Sequence, residues 1–342
     1  MAYHFRNLIF EGGGVKGIAY LGALEVLGKK DILPAITRIG GTSAGAITAA
    51  LTGLNFSAEE IKNILWEMDF KRFLDDSSGF IRDIDRLCTE YGWYKGDVFR
   101  NWIGKLIQQK TGNSESTFAD IEASKVKNDF RSLYFMGTNI STGFSEVFSA
   151  EHTPRMCVAD AVRISMSIPF FFAAPRGYRG DVYTDGGVTD NYPIKLFDRQ
   201  QYLTAANFLE PDYYKKINQE SARAANDRPI VKHVYNKESL GFRLDNKAEI
   251  SLFRDQAEPP KRKINDLFDF SIALIATLYG LQDNNHLHDD DWQRTIYIDT
   301  LDVGSLDFSL SEARKQALFD SGKQGAETYF AWYDNEEPKV NK

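Results

Sequence analysis

Cysteine is scarce in this chain. Cys88 and Cys157 are the 2 cysteines among 342 residues, too few for a disulfide framework and too widely separated for the paired spacing of a zinc site. A reducing, cytoplasmic setting is the expectation. Proline is sparse at 10 residues, and no Gly/Ser linker, low-complexity tract or internal repeat appears, which excludes fibrous and disordered classes. Excess positive charge is missing too: 41 Lys+Arg against 48 Asp+Glu give a formal net charge of -7, leaving no polycationic field to hold nucleic acid. Long hydrophobic runs are absent. The longest, FSIALIATLYGL at 270–281, falls short of the roughly 20 residues that span a bilayer. MAYHFRNLIFEGGG has no apolar stretch behind a basic start, so no Sec-type signal is read. Any meeting with lipid is therefore expected to be peripheral.

What is present reads as a folded α/β protein, 43% hydrophobic and 26% charged. Residues 5–10 (FRNLIF) predict a buried strand, followed by a glycine turn and an apolar helix over 15–29; residues 36–40 predict a second strand, followed by a small-residue helix over 44–54. Caps predict further helices after Ser57 with Glu60, after Thr153 with Pro154, and after Ser309 with Glu312. Strands are expected at 131–140, 144–149, 181–184, 230–235 and 294–299, with 141–143 turning a hairpin. The weaker pattern at 198–265 reads as an insertion or cap, and 266–335 as C-terminal strand and helices, within one domain covering 1–342.

Three glycine-marked sites carry the chemistry. In EGGGVKG, Gly12, Gly13, Gly14 and Gly17 follow a strand and open a helix, so bare backbone amides and a helix N-terminus can hold an anion or oxyanion, with Lys16 adding charge nearby. The same residues spell the dinucleotide fingerprint, yet the acidic residue needed about 20 positions beyond the last glycine, where Gly40 and Gly41 stand, is missing. In GTSAG, Gly41 and Gly45 flank Ser43 between a predicted strand and helix, the setting of a nucleophile elbow; the plainer reading makes Ser43 a helix N-cap. In TDGGV, Asp185 precedes Gly186 and Gly187, which is either an ordinary turn or a carboxylate base with room for substrate. A serine, a base and a set of oxyanion donors are what acyl transfer needs. None of the five histidines sits in a recognisable motif, although His286 and His288 follow Asp185 in the order of a Ser-Asp-His triad.

With GGGVKG at 12–17, GTSAG at 41–45, RISMSIPFFFAAP at 163–175 and DGGVTDNYP at 185–193, the sequence resembles the patatin-like phospholipases. RTIYIDTLDVGSLDFSLSE at 294–312 looks like the bacterial members' C-terminal segment. The resemblance implies a three-layer α/β fold with a mainly parallel sheet and helices around it. It also implies Ser43 as nucleophile, Asp185 as base and Gly12, Gly13 and Gly14 as the source of oxyanion donors, with a phospholipid or lysophospholipid as substrate and no metal or cofactor. Ser165, Met166 and Ser167 depart from the Ala-Ser start of many relatives. Non-lipid ester hydrolysis by a triad and a catalytically silent binding module are the competing readings. Phe170, Phe171 and Phe172 either line an acyl channel or fill core, and EPPKRK at 258–263 either touches headgroups or is a solvated charge run.

Overall fold

The computed structural model describes residues 3–68, 70–73, 87, 89–204, 209–224, 231–245, a few positions between 264 and 278, and 291–335. In chain order these residues form strand β1 (Asn7–Phe10), a 3-10 turn (Gly14–Ile18), helix α1 (Ala19–Lys29), β2 (Arg38–Gly41), α2 (Ala44–Gly53) and α3 (Ala58–Trp66). Then come β3 (Gly92–Tyr94), α4 (Asp97–Thr111), α5 (Phe118–Asn128), β4 (Ser132–Asn139), β5 (Phe144–Ser149) and α6 (Val158–Ser165). The chain continues through β6 (Phe170–Phe172), β7 (Tyr183–Asp185), α7 (Asp212–Ala224), β8 (Ser239–Asp245), β9 (Thr295–Asp299) and α8 (Glu312–Asn335). Among the described residues the main sheet runs β5-β4-β2-β1-β8-β9, with β7 also on β4, and β3 pairs β6 separately.

The pairings β1–β2, β1–β8, β2–β4 and β8–β9 are parallel; β5 and β7 run antiparallel to β4. Parallel strands covered on both faces read as continuous apolar runs, and β1 and β4 are buried throughout. Alternate side chains divide between two cores. Leu8, Phe10, Leu133 and Phe135 join the large core shared with α1, α2 and α8, while Ile9 and Tyr134 face a smaller one made by Tyr192, Ile194, Phe197 and Tyr202. Helices α1 and α8 cross at backbone contact: a Cβ on Gly22 would overlap Phe319 O, and one on Gly322 would overlap Ala19 O.

Several expected elements take a different form in the structure. The stretch expected to be an insertion, 198–265, contains β8, a sheet strand between β1 and β9. Its charges are matched at the two-residue spacing of one strand face, Arg243 Nε donating to Asp245 Oδ1 at 3.0 Å. Thr153 does not open a helix. Its hydroxyl donates to Ser149 O at 3.3 Å, and α6 starts at Val158 instead. The last helix starts at Glu312, where Ser311 Oγ, not Ser309, accepts the Arg314 N–H at 3.4 Å. The strand expected at 230–235 is reduced to isolated bridges at His233 and Tyr235. The Ser57–Glu60 capping box and the β4–β5 hairpin form as expected. Cys88, His286, His288 and the 258–263 basic cluster lie outside the described residues.

Beyond the first half, β9 is anchored by a buried charge cluster. Arg294 Nη1 bonds Asp198 Oδ1 at 2.5 Å, its Nη2 bonds Asp291 Oδ1 at 2.6 Å, and its guanidinium lies 4.2 Å from the centre of the Tyr235 ring.

Candidate active site

The site forms where β2 ends. Strand β2 pairs with one edge of β4 from Ser132 to Phe135, and β7 takes over that same edge from Gly137 to Asn139, since β5 occupies the other. Gly41 therefore lies opposite Phe135 and Asp185 opposite Gly137. Two residues past Gly41, the chain carries Ser43 toward the position where β7 delivers Asp185. The end of α6 and the turn after it grip both. Ser43 N–H donates to Ser165 Oγ at 3.0 Å, and Asp185 N–H and Thr184 Oγ1 donate to Ser167 O at 2.8 and 2.7 Å.

Ser43 has φ 52° and ψ -125°, a left-handed conformation rare for a residue with a side chain, and it is buried. The turn is held by contact at its glycines: a Cβ on Gly41 would overlap Gly45 O, and one on Gly45 would overlap Phe10 O at the end of β1. This is the packing that an elbow between strand and helix demands. Ser43 is not an N-cap by its side chain; the hydroxyl faces Met166 Sδ at 3.6 Å. Asp185 is completely buried, and its Oδ1 accepts the Gly187 N–H at 2.7 Å. Gly186 is pressed against Met136 of β4, leaving no room for a side chain beside the carboxylate.

The glycine turn lies against the elbow: a Cβ on Gly12 would stand 3.1 Å from Ser43 Cβ and would overlap Asn191 Oδ1. The four glycines are not equivalent. Gly12 N–H is spent on Asn191 O at 3.0 Å, so it points away from an oxyanion role. Gly14 has φ +57° and touches Ser305, whose carbonyl accepts Val15 N–H at 3.1 Å. Gly17 sits within the 3-10 turn against Ala44. Lys16 is partly exposed in that turn, and its N–H donates to Gly13 O at 3.2 Å.

The braces of this turn lie outside the residues expected to carry the chemistry. Asn191 Nδ2 donates to Glu11 Oε1 and to Gly12 O, each at 3.3 Å, and Glu11 Oε2 accepts Leu244 N–H at 2.5 Å. A buried acid just before the glycines and an amide just after DGGVTD were the visible signals. Asp190, next to Asn191, is a further titrating group: burial pushes its carboxyl up to about 7, with Lys195 pulling the other way. Its backbone carbonyl accepts Thr42 Oγ1 at 3.0 Å. A carboxyl with a raised native value favours the folded state at acid pH, and that contribution is lost as pH rises from the unfolded value near 4 through 7. Asp190→Asn is expected to raise the melting temperature relative to wild type at about pH 8 and to give no gain at about pH 4, as read by calorimetry.

The described histidines have other settings. His4 lies against Tyr333, His152 Nδ1 hydrogen bonds Ser149 Oγ at 2.8 Å, and His233 stacks on Tyr214. Phe171 and Phe172 belong to the large core, while Phe170 is exposed with φ 62°. Cys157 is a free, half-buried thiol, and burial pushes its pKa up. Among the described residues no helix is long and apolar enough to cross a membrane.

An elbow-borne serine, a glycine turn against it and a buried aspartate at the adjoining strand end, on a mostly parallel sheet, define an α/β protein with a strained serine site. The family model described as patatin-like phospholipase matches residues 8–198, and the chain belongs to that family. It is similar to the uncharacterized protein YqhO of Bacillus subtilis, 29% identical over 94% of this chain and 96% of that one. It is also similar to the probable lipid hydrolase 463L of Invertebrate iridescent virus 6, 28% identical over 63% of this chain and 74% of the relative. Among solved structures, VipD from Legionella pneumophila shares the fold, with a TM-score of 0.62, 16% identity, and coverage of 96% of this chain and 67% of that one.

Proposed function

We propose that this protein is a lipid acyl hydrolase of phospholipase A or lysophospholipase type, with Ser43 as nucleophile and Asp185 as its base. The observation that carries the reading is the strained, buried Ser43 elbow at the very edge of β4 to which Asp185 is delivered. Strain of this kind persists only where surrounding structure enforces it, and here Gly41, Gly45 and Ser165 do so. The full set of roles for acyl transfer is then present: nucleophile, base and oxyanion donors.

In the reaction, Ser43 Oγ attacks the ester carbonyl while its proton passes to Asp185, whose Oδ1 is steadied by Gly187 N–H. The oxyanion is held by the amides of Gly13 and Gly14, since Gly12 spends its own on Asn191. Collapse releases the alcohol, protonated by Asp185, and leaves an acyl-Ser43 ester. Water, giving its proton to Asp185, then frees the fatty acid and restores Ser43. Lys16 adds positive charge near the turn, Gly41, Gly45 and Gly186 keep the backbones close, and Gly187 supplies its N–H to Asp185. Family membership and the lipid-hydrolase description of the viral relative support a lipid as substrate, met peripherally at the membrane surface.

Mass spectrometry of products from mixed phospholipid and lysophospholipid vesicles tests this. Free fatty acid is expected from wild type and not from Ser43→Ala, and an alkyl fluorophosphonate is expected to label the Ser43 peptide. Equal fatty-acid release by both proteins would overturn the reading.

A further inference from the structure

Strand β4 outruns its neighbour β2 at the carboxyl edge of the sheet, the edge on which the Ser43 elbow lies. Gly41 is opposite Phe135, yet β4 continues to Asn139 before the chain turns back into β5. Asp185 is level with Gly137, so the turn begins at Ile140, about 10 Å further along at roughly 3.3 Å per residue. Ile140 is 54% exposed, and Phe144, where β5 opens, is 71% exposed. A second turn, between β6 and β7, is fastened beside the first: Ile140 N–H donates to Val182 O at 2.8 Å, and Val182 N–H to Ser141 Oγ at 3.0 Å. At its tip Tyr178 is 91% exposed, with the Arg179 guanidinium 5.2 Å from the ring centre. Segments 140–145 and 175–180 contain Arg176 and Arg179 and no acid. The flanking acids are turned inward, Glu146 and Asp181 accepting from Asn139 Nδ2 at 2.7 and 3.4 Å and Glu146 also from Tyr183 Oη–H at 3.0 Å.

We propose that these two turns form the face by which the protein sits on an anionic bilayer. Ile140, Phe144 and Tyr178 enter the headgroup layer and Arg176 and Arg179 meet lipid phosphates; the inference rests on the reading of the protein as a lipid acyl hydrolase. One exposed apolar side chain is ordinary on a protein surface. Three on adjoining turns, flanked by cations and placed on the edge that carries Ser43, suit an interface that is apolar below and anionic above. Tyr and Arg can bury an apolar body there while the polar tip stays wet. Interfacial apolar groups reach about 5–10 Å into that layer. The turn stands a similar distance beyond Asp185, so docking brings the site level with the headgroups. The hydrogen bonds between the turns hold the face ready-made, which spares the cost of ordering it on contact. The net charge of -7 opposes approach from afar, but charges beyond about 10 Å are largely screened at 0.1 M salt, which leaves the arginines to act at contact.

The test is co-sedimentation with vesicles of phosphatidylcholine, with and without about a third phosphatidylglycerol. Every protein carries Ser43→Ala, so the lipid stays intact and the binding result is independent of the nucleophile. The unaltered face is expected to prefer the mixed vesicles. Phe144→Ser with Tyr178→Ser is expected to weaken binding to both kinds on the order of tenfold or more. Arg176→Gln with Arg179→Gln is expected to weaken binding to the mixed vesicles about fivefold for each arginine and to leave phosphatidylcholine binding unchanged. All four side chains are exposed, so melting temperatures are expected to match the parent protein. Absence of vesicle binding by the unaltered face, or binding by both pairs of variants equal to it, would overturn the inference. So would a dimer that binds no vesicle and is lost in Phe144→Ser, which would give the face to a second copy of this chain. With Ser43 restored, both pairs are expected to hydrolyse soluble nitrophenyl acetate like wild type and to release less fatty acid from mixed vesicles. If vesicles are bound as stated but wild type releases no fatty acid, the hydrolase reading fails while the lipid contact stands. If wild type releases fatty acid and both pairs of variants bind and hydrolyse vesicles equally well, the docking face alone falls.

Discussion

Ser43→Ala is expected to lower the turnover of a soluble ester or a lysophospholipid by at least about 10³-fold, with the melting temperature close to wild type. The elbow is held by Gly41 and Gly45 and by the Ser43 backbone N–H on Ser165, none of which involves the hydroxyl. Removing Oγ deletes the weak contact with Met166 Sδ and nothing else that supports the turn. Asp185→Asn gives the complementary result. Its amide still offers an oxygen to Gly187 N–H, so the turn is retained, but it cannot accept the serine proton, and a loss on the order of 10³–10⁴ in kcat is expected. If Ser43 and Asp185 act as one unit, as proposed, the double variant should be about as inactive as either single one. Steady-state kinetics of the three variants, with circular dichroism for folding, provide the check; additive losses would show that the two side chains act separately.

Arg294→Ala is expected to cost about 3–5 kcal/mol of stability, measured by urea denaturation. The guanidinium is wholly buried and serves Asp198, Asp291 and the Asn236 carbonyl together, so its removal strands two buried carboxylates. Arg294→Lys should recover only part of that loss, since an ammonium cannot present two parallel N–H groups to Asp198. An Arg294→Ala protein with an unchanged urea midpoint would contradict this account of how β9 is fixed.

The elements legible in the sequence are those whose signal is local. β1 and the elbow announce themselves by apolar runs followed by glycines, and α3 by a capping box whose two reciprocal hydrogen bonds are both present. β8 was hidden because Gly241, Arg243 and Asp245 look like loop residues. Its glycine marks a close approach of the Tyr192 side chain, and its charges are paired within the strand, facts visible only once residues near 192 are packed on the sheet. Thr153 and Pro154 form a valid cap pattern, yet the Thr153 hydroxyl is taken by Ser149 at the end of β5. In the site, residue types and order were legible, but division of labour among the glycines was not. Gly12, Gly14 and Gly17 look alike in sequence and differ in what stands against them: Asn191, Ser305 and the side chains of Ala44 and Tyr20.

The contact between Gly14 and Ser305 ties the turn after β1 to the segment after β9. During synthesis the serine and the aspartate both leave the ribosome more than a hundred residues before the piece that shapes the glycine turn. On the proposed reading, a nascent chain therefore carries Ser43 and Asp185 well before the Ser305 contact that shapes the glycine turn can form.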